Sequence, residues 1–422
     1  MPLRIVFPLI SLTYGVGNWL TYLALIVYVQ TQAGSSASAG LFLVQTVPAL
    51  LVSGQIARAV PTTRVRSAWV ACQVVLAAMT VPAAFFVSHL WVVYAYAGTS
   101  MIVRAVANPL LLTLVSASVE PAERSAVLRS VSATSAVTLA VAPALGGSLL
   151  PVVGPTWLLL VNAALFLCVG GAVLLHPRLS AAPPDTEGRH REHSTELRPN
   201  GSWFRLPGFA ALVRVEGADL RSWRHPFTRL WMLLLIGGAV LNIVETPLVF
   251  SVVHLDETAF GWMLAAYGVG GLLVLVHNLR TAGRARTGRT AERRGTTLSG
   301  SALAVGFALL VVIASGATPT PATAPIAILS FGFLGFGGSW LSGTARAWLN
   351  ASFEGRGADT TKAMWTWASQ VTLAINLVVY LTFFVVFTAT PAGVWVLAPV
   401  LAAYGCLLVA LARTRPPRVV AA

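Results

Sequence analysis

The segment LNIVETPLVF, Leu241 to Phe250, sets one glutamate, Glu245, inside an apolar run that extends from about Leu230 to Val253. A charged group deep in a bilayer costs at least roughly 2.5–3.5 kcal/mol, so it persists where it faces a cavity, finds a partner or takes up a proton. No other carboxylate lies well inside an apolar run. Glu245 is therefore the proton-coupling candidate, and its bland alternative is a carboxylate bonded to neighbouring helices. On a helix through the run it stands about 6 Å past the middle. Arg104, in SMIVRAVANPLL, is the only arginine deep in such a run. It keeps its charge at any ordinary pH, so it needs water, a carboxylate or an anionic substrate group beside it. Its alternative role is structural, bonded to carbonyls. Helical spacing gives both residues polar company: Asn242 is one turn before Glu245, Asn108 one turn after Arg104, and Asn18 and Tyr22 share a face of the first run. Gln45, Trp340, Trp365, Gln370 and Asn376 are weaker substrate-cavity candidates on other runs. A lone polar residue in a span more often ties helices together than touches a ligand.

The elements that carry these residues follow from composition. The 422 residues are 56% hydrophobic and only 10% charged, with mean hydropathy +0.76, where a soluble chain would carry roughly 25% charge. The apolar residues come in blocks of about 20, the length that crosses a hydrocarbon core of roughly 30 Å. Each span must be a helix, because a closed barrel would show short alternating strands. The expected fold is an all-α membrane protein of about twelve spans. They lie near Ile5–Val29, Gly40–Val60, Ser67–Val87, Leu90–Ser116, Val131–Leu150, Trp157–Leu175, Leu230–Val253, Ala259–Val276, Leu298–Ala314, Ala324–Gly343, Thr361–Phe387 and Val394–Leu411. Pro48, Pro109, Pro143 and Pro247 predict bends within them.

The net charge of +14 is a topology signal rather than a sign of nucleic-acid binding. Arg58, Arg64 and Arg66, then Arg124 and Arg129, then the cluster from Arg280 to Arg294, then Arg346, Arg356 and Lys362, then Arg413, Arg415 and Arg418 fall in alternate loops. The intervening loops, such as TQAGSSAS and PVVGPT, carry none. The positive-inside rule places both termini in the cytoplasm. The organisation expected is an N-terminal six-helix bundle (1–176), a cytoplasmic linker (177–228) and a C-terminal six-helix bundle (229–422). Part of the linker, FAALVRVEGADLRSW, reads equally as a surface amphipathic helix or as partly ordered chain. The cysteines Cys72, Cys168 and Cys406 lie in apolar runs without metal or disulfide spacing. There is no P-loop, no H-E-x-x-H and no paired nucleophile and base in the spans, which argues against an ATP-driven pump or an enzyme. No cofactor and no metal are expected.

The halves resemble each other faintly. Ser36–Leu51 and Glu257–Leu273 both open a span with small residues and a glycine, Gly40 and Gly261. Two six-span repeats are the plan of many secondary transporters, with the substrate site at their interface. The chain resembles the major facilitator superfamily, and within it the branch of macrolide-efflux and enterobactin exporters. The likeness rests on YGVGNWLTYLALIVYVQTQAGSSASAGL, on VPALLVSGQIA and on Val119–Leu150. The family's helix-five motif G-P-x-x-G-G stands here as Ala142-Pro143-Ala144-Leu145-Gly146-Gly147, with alanine in place of the first glycine. Its second-loop motif survives as Gly54 and Ala57, but Arg58 replaces the aspartate that the resemblance implies for the cytoplasmic gate. Asn18 stands where many relatives carry aspartate, and Asn108 takes the glycine of the helix-four R-x-x-x-G motif.

The resemblance implies two six-helix bundles around a cavity, with Arg104 and Glu245 facing it from opposite halves. It also implies export. The expected function is proton-coupled export of a small, moderately apolar molecule, a drug or secondary metabolite, by a monomer in the bacterial cytoplasmic membrane. The partners are that substrate, protons and the lipid bilayer, with no nucleic acid. The rivals are a uniporter or importer on the same fold and a membrane protein that binds a ligand or partner without moving it.

Overall fold

A hydrocarbon interior offers no water to a backbone N–H or C=O, so a chain that crosses it must close its hydrogen bonds within each segment. The computed structural model of the protein meets that demand with helices. It describes residues 3–59, 64–119, 121–176, 226–281, 289–315, 320–353 and 358–390, and no strand occurs among the described residues. In chain order the helices are α1 (Leu3–Ala59), α2 (Val65–Phe85), α3 (Leu90–Ser118), α4 (Pro121–Leu175) and α5 (Pro226–Pro247, continued by a π-helical turn, Leu248–Val252). Then come α6 (Glu257–Thr281), α7 (Arg289–Ala314), α8 (Thr320–Phe353) and α9 (Ala358–Ala389). The fold is that of an all-helical multi-pass membrane protein.

The apolar stretches of α1 and α4 are 49 and 42 residues long. At about 1.5 Å per residue each is roughly twice the length needed for one crossing. Each folds back at a single glycine in the left-handed region, Gly34 (φ 79°) and Gly154 (φ 76°). A Cβ at either would meet nothing within 4 Å, so backbone conformation alone selects glycine there. Pro155 starts the returning arm of α4, where its missing N–H costs nothing. The stretches TQAGSSAS and PVVGPT, expected as loops, are thus helical on both sides of one residue. Their small residues tolerate helix, and only the turn itself demands positive φ. The nine apolar helices among the described residues, two of them doubled, give the first eleven expected crossings. The twelfth, with Cys406, and nearly all of the linker lie outside the described residues.

Proline acts as expected at one functional point. Pro247 ends α5, and the chain widens into the π-turn with Val253 N–H donating to Leu248 O at 2.9 Å. A proline has no N–H for the carbonyl four residues back, and such widened turns re-aim the helix end. The Asp256 carboxylate then caps α6 by accepting from Ala259 N–H at 2.7 Å.

Outward-facing apolar side chains confirm which surface meets lipid. Val152 is 79% exposed, Phe85 66% and Val378 62%, and a water-facing surface would not carry such a belt. One large buried core joins α1–α4 to α5–α9 through residues such as Leu23, Phe42, Leu150, Val244, Phe260, Phe331 and Phe383. A second core, with Phe7, Trp69, Leu114 and Val173, lies within α1–α4 toward the end remote from the two glycine bends.

Where the two groups of helices meet, α4 lies against α6 at near-backbone distance. A Cβ on Gly147 would come within 2.7 Å of Gly261 Cα, and one on Gly261 within 2.5 Å of Pro143 O. A Cβ on Gly268 would enter the backbone of Leu139 and Ala140. Gly146 takes Leu23 of α1 in the same way, at 2.7 Å from Cδ1. Lipid is as apolar as a leucine face, so helices here gain by approaching closely, which small residues permit. Gly268→Ala should therefore cost about 1–3 kcal/mol through overpacking. Gly171→Ala, whose Cβ meets nothing within 4 Å, should be neutral or stabilising by about 0.5–1 kcal/mol. Thermal unfolding in detergent compares the two, and equal stability of both variants would show that the seam does not need glycine.

Candidate functional site

Glu245 sits on α5 two residues before Pro247, between Val244 and Thr246, and all three are buried. Its Oε1 accepts the Tyr22 hydroxyl of the first arm of α1 at 2.8 Å. The two residues are 223 positions apart, and the bond crosses from one group of helices to the other. Two further phenols stand close enough to feel the carboxylate's charge, Tyr267 from α6 and Tyr380 from α9. Asn242, one turn before Glu245, lies against the Tyr380 hydroxyl. Stacked rings tie the set together: Trp19 on Tyr22 (5.2 Å), Tyr22 on Phe42 (6.4 Å) and Phe42 on Tyr380 (5.1 Å). A carboxylate among phenols can take or return one proton while the rings keep their packing.

Arg104 forms a separate station on the same wall. Its guanidinium lies over the Phe166 ring of α4, 6.0 Å from the centroid, and close enough to Tyr14 to act on it. Its Nε and Nη2, the Tyr14 hydroxyl and Asn18 Oδ1 have no hydrogen-bond partner within the protein. Tyr14, Asn18 and Tyr22 recur every four residues, so they form one stripe on α1, with Tyr14 near Arg104 and Tyr22 on Glu245. The two stations are about 12 Å apart along the helix, at 1.5 Å per residue. Arg104 and Glu245 do not form an ion pair: Glu245 takes its bond from Tyr22, and Arg104 is not among the groups acting on it.

The other expected residues disperse. Asn108 is exposed on α3, while Gln45 and Asn376 are part-buried on α1 and α9. Trp340 stacks on His277 (5.2 Å) and Phe336 (6.2 Å), so it serves the packing of α6–α8. Pro143 and Gly147 lie in the close α4–α6 seam, and Gly146 packs on Leu23 of α1. Gly54 and Arg58 belong to the end of α1 and Trp365 and Gln370 to α9, but their side chains lie outside the described residues. Three residues were missed in the sequence. Tyr14 was recoverable, since it stands four residues before Asn18. Tyr267 and Tyr380 carried no signal, because a lone tyrosine in an apolar run looks like any core or interface ring.

A polar knot closes the end where Gly34 bends the chain. The Gln30 side chain donates to Ser251 Oγ of the π-turn at 3.1 Å and to Ser35 Oγ at 3.2 Å, and accepts from Ser38 at 2.8 Å. Contacts between the two groups of helices thus involve Tyr22, Gln30, Gly40, Phe42 and residues 139–147, from the glycine-bend end to about mid-helix. No cluster of metal-ligating side chains occurs among the described residues.

Tyr22→Phe should cost about 1.5–3 kcal/mol if Glu245 is ionised, the range for a hydrogen bond to a charged group. In the Glu245→Gln background the same change should cost less. The difference, read from a double-mutant cycle of unfolding midpoints, measures the bond, and equal costs in both backgrounds would mean that it contributes nothing.

Among known families, the model of the Major Facilitator Superfamily matches residues 9–358. No curated protein matches the sequence. Among solved structures, the nucleoside transporter NupG is similar at 14% identity and TM-score 0.64, over 98% of this chain and 100% of that one. A bacterial homologue of the iron transporter ferroportin is similar in its inward-facing state at 14% identity and TM-score 0.63, over 98% and 100%. The outward-facing state with soaked iron gives 15% identity and TM-score 0.55, over 98% and 99%.

Proposed function

The chain belongs to the Major Facilitator Superfamily, and from that premise we propose that it is a proton-coupled exporter of a small, moderately apolar molecule. Transport of small molecules by a multi-pass membrane protein is the activity this fold carries. The finer reading, efflux in the manner of the macrolide and enterobactin exporters, rests on the first-span and helix-five residues of the sequence. The single observation that supports coupling is the bond from Tyr22 to Glu245. The bond lies in the seam between the helices α1–α4 and α5–α9, where rocking of one group on the other would break and remake it.

Arginine-rich loops at the end remote from the glycine bends support a cytoplasmic position for that end. The seam at the glycine-bend end is then the closed outer gate. When the outer seam parts, Glu245 loses the Tyr22 hydroxyl and meets outside water. It takes a proton there, which favours release of the substrate outward. Closing the seam on the neutral carboxyl and opening the inner end returns the proton to the cytoplasm and restores affinity. The protein works as a monomer in the bacterial cytoplasmic membrane.

Arg58, in place of the aspartate of the family's inner-gate motif, favours one other reading, a uniporter or importer on the same fold. The deciding measurement uses purified protein and a compound found by thermal-shift screening. Wild type should show a ligand-induced shift that differs between about pH 5.5 and about pH 8, and Glu245→Gln should lose that difference, since a ligand stabilises only as its binding allows. In proteoliposomes the compound should then move against its gradient when a pH gradient is imposed. Equal pH response in both proteins, or equilibration only, would put the uniporter in its place.

A further inference from the structure

We propose that Arg104, Tyr14 and Asn18 form a binding site for the carboxylate of a small organic acid, so that the molecule carried is an amphipathic monoanion. The inference deepens the transport reading and rests on it for what happens after binding.

The guanidinium is a permanent cation inside a membrane helix, and no described residue gives it a counter-ion. Glu245 is committed to Tyr22, while Asp256 and Glu257 stand at the start of α6 in the outer seam. The two guanidinium nitrogens without partners are Nε and Nη2. They share one edge of the group, the edge whose parallel N–H bonds match both oxygens of a carboxylate. The Phe166 ring covers a face of the guanidinium and packs on Tyr14 at 5.9 Å, so the plane is held while the edge, buried, makes no hydrogen bond. The Tyr14 hydroxyl, on a side chain only 8% exposed, lies beside the Asn18 amide without forming a well-aligned hydrogen bond, so it can turn as a third donor. The Asn18 amide, whose Oδ1 is likewise unpartnered, can turn its NH2 to the same point.

Four donors around one positive charge call for an anion, and the charge balance selects its valence. A carboxylate cancels Arg104, whereas a phosphate dianion would leave an uncompensated charge in a low dielectric. The stripe from Tyr14 to Tyr22 then runs about 12 Å toward Glu245. Trp19 and Tyr22 provide aromatic surface at its far end, which suits an apolar body behind the carboxylate.

The test uses the purified full chain with benzoate, 1-naphthoate and decanoate, each against its neutral primary amide, by thermal shift and titration calorimetry. At least one acid should bind wild type, and its amide should bind at least about tenfold more weakly, the factor for losing a charged hydrogen-bond pair. Arg104→Gln should lose about tenfold or more in affinity for the acid and nothing for the amide. Arg104→Lys should recover part of it, since the charge returns without the two-bond edge. Tyr14→Phe should weaken the acid by several fold, and it decides the matter if Arg104→Gln does not fold. The site is overturned if none of the three acids binds, if acid and amide bind alike, or if the Arg104 and Tyr14 variants bind the acid as wild type does. Two readouts separate the proposals: the acid-against-amide contrast lost in Arg104→Gln at a single pH tests the carboxylate site, and the pH dependence of binding lost in Glu245→Gln tests coupling.

Discussion

A hydrocarbon solvent that bonds nothing is the constraint on which the rest of this structure depends. It forces the backbone into helices, and it removes the hydrophobic drive that would press those helices together. Close approach must then come from shape. The seam of α4 on α6 is made where Gly147, Gly261 and Gly268 bring backbone to backbone. That contact sets where α1 and α5 meet, and so where Tyr22 finds Glu245. The same constraint makes each polar side chain in the interior conspicuous, because the protein itself must supply its partner.

The two intramembrane charges meet this demand in opposite ways. Glu245 takes its one hydrogen bond from a hydroxyl on α1, with phenols of α6 and α9 near enough to feel its charge. Its surroundings belong to both groups of helices, so any relative motion of the groups alters them. Arg104 sits within α1–α4, over Phe166 and beside Tyr14, with one edge of its guanidinium unmatched. Relative motion of the groups leaves those neighbours in place. One charge thus has its neighbours in both groups of helices and the other in one group, and a single face of α1 connects them.

Much of this was legible in the sequence. Hydropathy gave the crossings, because a bilayer of fixed thickness demands runs of fixed length. The arginine-free alternate loops gave the expected orientation. Glu245 and Arg104 stood out as isolated charges in apolar runs, and helical periodicity placed Asn18 and Tyr22 on one face. The bends at Gly34 and Gly154 were read as loops, since small residues do not distinguish a helix with one turned residue from a short coil.

What the sequence alone determined is therefore everything set by local rules: helix, length, expected orientation, and which residues are too polar for their surroundings. The tertiary structure decided the partners. Tyr22 and Glu245 are 223 positions apart, and Tyr267 and Tyr380 look like ordinary core rings until α6 and α9 bring them to α5. Arg104 and Glu245, expected on one cavity from opposite halves, stand at two stations about 12 Å apart along α1. Spacing along a helix fixes which face a residue shares, but no local rule fixes which helix that face will meet. That depends on how closely glycines let distant segments pack.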